Sequence, residues 1–255
     1  MTQDTKIGGA SGKFPATRWS AILAARSNVP AERSRALDAI VTAYWKPIYK
    51  YLRLRWGKSN EDAKDLTQEF LARLIEKQYL DDFDPAKARL RTFLRVCLDR
   101  LVANEAKAAK RLKRGGPAPH FSLDFAAAEV ELSRAKPSLP PTAPPQALDD
   151  FLEKEFIRSL FARTVDSLRE SCSTHGKQLY FAVFEAYDLI DEENVHPSYA
   201  DLASKFGIAT TDVTNYLALA RREFRAIALV KLGEMTASNA EFQREARALF
   251  GVKPE

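Results

Sequence analysis

Residues 61–80 read EDAKDLTQEFLARLIEKQYL. On a wheel turning about 100° per residue, Glu61, Asp65, Glu69 and Glu76 fall together, and Leu66, Phe70, Leu71 and Leu74 fall on the opposite side. Ser59 and Asn60 precede the segment, and either can cap a helix whose first turn carries Glu61 and Asp62. The spacing predicts an amphipathic helix with one side for a core and an acidic side left outside it.

Downstream the sign of the charge reverses. Residues 60–84 hold eight acids and three bases, and residues 85–114 hold ten bases and two acids. In the basic half, Leu90, Phe93, Leu94, Cys97, Leu98, Leu101 and Val102 form the apolar stripe. Arg91, Arg95, Arg100, Lys107, Lys110 and Arg111 are expected mostly toward solvent. Such an array can lie along a phosphate backbone and release counterions; composition alone favours an ordinary solvated basic helix. The adjacent acidic face favours the first reading. Upstream, Leu37, Ile40, Val41, Tyr44, Trp45, Ile48 and Leu52 trace another helical face, which Pro47 is expected to kink or divide.

The middle of the chain changes character. Residues 115–150 contain seven of the thirteen prolines and open on Gly115 and Gly116. Proline lacks an amide donor and restricts its predecessor, so this zone is expected to be an extended connector and the domain boundary.

Beyond it, residues 197–227 read PSYADLASKFGIATTDVTNYLALARREFRAI, the organisation of a helix-turn-helix. Ser198 with Asp201 makes a cap-like start, Gly207 supplies the turn, and Thr210 or Thr211 can cap the next helix. Leu202, Phe206, Ile208, Val213, Leu217 and Phe224 are expected to hold the two helices together, with Ala203 small where they cross. Thr214, Asn215, Ala218, Arg221, Arg222 and Arg225 remain for the free side, where polar groups can read base edges and arginines can grip phosphates. An ordinary surface helix accounts for this segment as well. After it, Ser238–Phe250 can form a short helix with Phe242, Ala246, Leu249 and Phe250 on one side, packed on the second domain or on a partner.

Strand alternation is nearly absent, so the fold class is all-α: two helical domains joined by a proline-rich linker. The 255 residues, 45% hydrophobic and 29% charged, suffice for two modest cores. A net charge of +5 suits a polyanionic partner without proving one. Cys97 and Cys172 stand far apart, without partners at metal-ligand spacing, which suggests neither a disulfide framework nor a zinc site. The first residues are polar, and no apolar run approaches the roughly 20 residues that cross a bilayer. A cytoplasmic protein with no membrane partner is expected. Gly57-Lys58-Ser59 looks like the end of a phosphate-binding loop, but Leu52 stands where the upstream glycine must be. His120, His175 and His196 are scattered, so no catalytic residues, metal or cofactor are expected and the chain is read as no enzyme.

The order of these pieces resembles ECF-type sigma factors of the sigma-70 family. An acidic helix Asp62-Ala63-Lys64-Asp65-Leu66-Thr67-Gln68-Glu69-Phe70, a basic helix, a linker and a helix-turn-helix carry the resemblance over roughly residues 30–114 and 155–230. The early FPATRWS looks like a subgroup with N- and C-terminal extensions. The resemblance implies an N-terminal extension (1–29), sigma domain 2 (30–114), a linker (115–150), sigma domain 4 (151–232) and a C-terminal extension (233–255). It also implies core RNA polymerase and promoter DNA as partners.

Within that frame Asp62, Asp65, Gln68 and Glu69 would dock on the polymerase clamp. Lys87, Arg89, Arg91, Arg95, Lys107, Lys110 and Arg111, with the loop from Asp81, would engage the opened minus-ten element. Thr211, Thr214, Asn215, Arg221, Arg222 and Arg225 would serve the minus-35 element. Two positions depart from the family pattern: Lys64, where an acid is common, and Thr67, where an aliphatic residue is. Thr67 faces the apolar side; it is also a candidate regulatory phosphosite, since a phosphate there would add charge beside the docking face. An inhibitory or kinase partner and an autoinhibitory tail belong to the same expectation. Two other readings compete: a stand-alone helix-turn-helix regulator, which leaves the acidic helix without a purpose, and a protein-binding helical adaptor, which leaves the helix-turn-helix idle.

Overall fold

A computed structural model describes residues 29–76, 79–84, 87–108, 121–135, 139–140, 142–189, 196–236 and 238–251. Among these residues all regular structure is helical: α1 (Pro30–Arg55), α2 (Asn60–Glu76), a 3-10 turn (Tyr79–Asp82), α3 (Leu90–Ala108), α4 (Phe125–Ala135), α5 (Pro145–Thr174), α6 (Gln178–Asp188), α7 (Tyr199–Phe206), α8 (Thr210–Met235) and α9 (Asn239–Phe250). The all-α expectation holds.

The stripes read from the sequence become the first core. Leu37, Ile40, Val41, Tyr44, Ile48 and Leu52 of α1 meet Leu66, Phe70, Leu71 and Leu74 of α2, and Leu90, Leu94, Leu98, Leu101 and Val102 of α3. Ser59 settles the capping alternative at α2: its hydroxyl accepts from the Asp62 amide at 3.1 Å. The second core joins Leu168 and Cys172 of α5 to Phe181, Val183 and Phe184 of α6, Leu202 of α7, and Val213 and Leu217 of α8.

Two long helices run through both cores. The first half of α5 gives Leu148, Leu152, Phe156 and Leu160 to the first core, and its second half enters the second. Helix α8 makes the return journey, from Val213 in the second core to Leu232 and Met235 in the first. The expected boundary near residue 150 therefore falls inside α5, and the stretch 151–160 packs with the first core.

The expected extended connector at 115–150 is corrected by helix α4 and by the start of α5. Proline blocks helix only where it stands, and residues 120–136 are free of it. Helix α4 lies on α1 through Trp45–Phe125 and Tyr49–Phe125 ring contacts with centroids 5.4 and 5.0 Å apart. Pro145 takes the first position of α5, where the missing amide costs nothing.

Pro47 does not divide α1, which continues through it. A proline removes the donor for the carbonyl four residues back, here Ala43. That carbonyl instead accepts a long hydrogen bond from the Ser159 hydroxyl of α5, at 3.4 Å in a buried setting. The proline thus opens an acceptor that the neighbouring helix fills. Ser159→Ala is expected to lower stability by about 1 kcal/mol in urea denaturation, and by less in a Pro47→Ala background, where the restored amide serves Ala43. Equal cost in both backgrounds would remove the coupling.

Candidate nucleic-acid and polymerase interface

The acidic side of α2 is outside, as its periodicity required. Asp62 and Asp65 are exposed, and the Asp62 carboxylate accepts from the Ser59 hydroxyl at 2.8 Å. Glu69 is paired with Arg73 one turn on. Lys64 pairs with Glu61 at 2.8 Å, so the departure at 64 partly neutralises this face. Gln68 separates from the other three. Its amide nitrogen donates to the Phe121 carbonyl at 2.7 Å and its amide oxygen accepts from the Phe121 amide at 2.9 Å, clasping the chain as it enters α4.

Thr67 is fully buried and donates to the Ala63 carbonyl at 2.7 Å. The phosphosite expectation is corrected on that ground: a kinase cannot reach this hydroxyl while α2 is folded, and the position is that of a core threonine.

The basic row that leads into α3 and runs along it is largely covered. Lys87 is exposed, 3.4 Å from Asp84. Arg89 lies 2.8 Å from Glu153 and 3.6 Å from Glu245. Arg91 is buried, 2.8 Å from Glu245 and 3.3 Å from Glu153, with its guanidinium 4.9 Å from the centre of the Phe156 ring. Arg95 is 2.8 Å from Asp149 and 3.2 Å from Asp99. The expectation that Arg91 and Arg95 face solvent is thereby corrected. Arg91 stands three residues before Leu94 and seven before Leu98, on the apolar side of its own helix. Burial opposes its charge, yet Tyr44, Glu245 and Glu153 outweigh burial and raise its pKa. Lys107 belongs to α3. Lys110 and Arg111 lie outside the described residues.

The acids that cover these cations were not singled out from the sequence. Asp149 and Glu153 are one helical turn apart on α5, and Glu245 is on α9. A second acidic group sits on α4: Glu129 holds Arg53 at 2.7 Å and accepts from the Tyr49 hydroxyl at 2.6 Å, and Glu131 holds Lys46 and Lys50 at 2.7 and 2.8 Å. Lys50 also meets the buried Glu155 at 2.7 Å. Only the i to i+4 spacings could have hinted at a shared face; the partners lie far away in sequence.

The helix-turn-helix is built as its signals required. Ser198 and Asp201 form a reciprocal capping box, and Gly207 takes a left-handed conformation, φ +67°, that closes α7. The second cap differs: Ala209, not Thr210 or Thr211, precedes α8, and the Asp212 carboxylate accepts its amide at 3.2 Å. Thr211, Thr214, Asn215, Arg222 and Arg225 are exposed. Arg221 is exposed but forked onto Asp188 at 2.8 and 2.9 Å, and Asp188 raises its pKa.

Among the described residues no group of three or more His, Cys, Asp or Glu side chains could hold a metal ion, and no helix is long and apolar enough to cross a membrane. Cys97 and Cys172 are free thiols.

Two measurements follow from this geometry. Thr67→Glu should lower stability by about 3 kcal/mol or more, while Thr67→Val should shift it by about 1 kcal/mol or less; equal, small effects in urea denaturation would contradict the burial. Hydrogen bonding from Arg53 holds the Glu129 carboxyl below its ordinary value of 4.5. A lowered folded pKa means that stability is present above that ordinary value and is lost as pH falls through the lower one. On acidification, Trp45 fluorescence should shift to the red as Phe125 leaves it, and Glu129→Gln should remove that acid-dependent step.

Set beside known proteins, residues 40–112 match the family model for sigma-70 region 2. Neither the curated proteins nor the solved structures contain a match to the chain. The matched segment runs from the middle of α1 through α2 and α3, the pair of helices with opposite charge. That segment is thus similar to sigma-70 region 2, and the match covers less than a third of the chain.

Proposed function

We propose that the protein is an alternative sigma factor of the ECF type that directs core RNA polymerase to a subset of promoters. The observation that carries this reading is the region 2 match over 40–112 in a chain that also folds a helix-turn-helix at α7 and α8. A sigma factor needs both parts, one to hold polymerase and melted DNA and one to hold duplex DNA upstream.

In this reading Asp62, Asp65 and Glu69 dock on a basic surface of core polymerase. Gln68 contributes where its clasp on Phe121 leaves it accessible. Lys87 and the arginines of α3 serve opened minus-ten DNA, whose unstacked strand needs a cationic groove. Thr211, Thr214 and Asn215 stand near the start of α8, the end that enters a major groove, with Arg222 and Arg225 behind them for phosphates. The chemistry is recognition, with no bond made or broken by this chain, and its place is the cytoplasm, with the polymerase.

One observation favours a second reading, a stand-alone duplex-binding regulator: the free side of α8 is open while the α3 row is paired. Core polymerase binding separates the two. The wild-type chain should bind purified bacterial core polymerase, and Asp65→Lys with Glu69→Lys should weaken it by at least about tenfold, because like charges would then face each other. Strong binding to duplex DNA alone, with no association with core polymerase, would transfer the assignment to the regulator.

A further inference from the structure

The covered arginines of α3 carry an inference about how this chain is controlled. Arg89, just before α3, and Arg91 and Arg95 on it follow one another along the chain, and three carboxylates from two other elements meet them: Asp149 and Glu153 from α5, and Glu245 from α9. Carboxylates at these positions present the same negative oxygens that a nucleic-acid backbone would present. The Arg91 and Glu245 side chains are only 7% and 4% exposed, so a phosphate cannot reach Arg91 with α9 in place.

Helix α9 is suited to leaving. It has twelve residues, begins at a Ser238 cap, and ends at Gly251 in a left-handed conformation. Its inward side presents Ala246, Phe242 and Leu249 to the first core, together with the buried Glu241 and Glu245. A helix this short is marginal by itself and depends on what it packs against.

We propose that α9, with the acidic edge of α5, is an ionic latch that closes the cationic row of α3 against nucleic acid, and that lifting α9 opens it. This rests on the reading of α3 as a nucleic-acid surface. The charge of the latch is what holds it. Neutralising Glu153 and Glu245 leaves Arg91 buried without a counter-charge, a state that α9 relieves by moving away.

The test uses the full chain and a fluorescein-labelled single-stranded DNA of mixed sequence and about 20 nucleotides, a length within reach of such grooves. E153Q/E245Q should bind it at least about tenfold more tightly than wild type. The salt dependence should steepen by about 1.4 on a double-logarithmic plot for two arginines released. Adding R91Q to that variant should remove most of the gain. Hydrogen exchange should show residues 239–250 opened in E153Q/E245Q, and opened in wild type when the DNA is present in saturating amount. The wild-type exchange measurement stands even if the variant folds poorly, and unchanged protection there overturns the latch. Equal DNA affinity of wild type and a folded variant overturns it too, whether or not α9 has opened. Core polymerase binding, measured on the same proteins, judges the sigma factor reading separately: its loss does not alter the DNA and exchange results.

Discussion

Helix α5 sets the geometry for the rest of the molecule. Its 30 residues make a rod of about 45 Å. Phe156 and Leu160 fix one half of it in the first core, and Leu168 and Cys172 fix the other half in the second. A helix so placed cannot act as a hinge without breaking its own hydrogen bonds and exposing both apolar stretches. Helix α8 repeats the constraint in the opposite direction, with Phe161 and Phe224 rings in contact at 5.7 Å between the two rods. The segment that matches region 2 and the helix-turn-helix thus share a framework in this conformation.

Charge is distributed on that framework by a consistent division. Lys46, Lys50, Arg53, Arg89, Arg91 and Arg95 lie in the matched segment, and the acids that meet them come from α4, α5 and α9, with Asp99 of α3 itself beside Arg95. Lys50 with Glu155, and Arg91 with Glu245, are pairs in which both members are nearly withdrawn from water. Such pairs add little net stability over apolar residues of the same shape, yet leaving one member alone is costly, about 3–5 kcal/mol. They favour one arrangement over others that would strand a charge. The same cations are those a polyanion would need, so in the proposed reading internal pairing competes with nucleic acid for one set of side chains.

Much of this was legible where the signal is local. The stripe Leu66, Phe70, Leu71 and Leu74 gave α2 its buried side, the Ser198 and Asp201 spacing gave a capping box, and Gly207 gave the turn. Thr67 was placed on the apolar side by the same wheel, and its burial follows. The reading failed where the partner is distant. Arg91 and Glu245 are 154 residues apart, and periodicity on α3 alone cannot announce a carboxylate from α9. The linker was read from its prolines, which cluster at its flanks, and the proline-free stretch between them folded. The cap of α8 was assigned to a threonine because threonine caps well; the reciprocal Asp212 contact requires only a backbone amide, which Ala209 supplies.

The continuity of α8 has a consequence of phase. Its first turns present the free side of the helix-turn-helix, and its last turns seat Leu232 and Met235 in the first core. Each residue added to a helix turns everything beyond it by about 100° and advances it by about 1.5 Å. The direction in which the exposed Asn215 points and the seating of Leu232 are therefore locked by the number of residues between them. That interval tolerates changes of side chain but not of length: one residue more or fewer would twist the exposed face of the helix-turn-helix out of alignment with the first core, as a gear slips by one tooth.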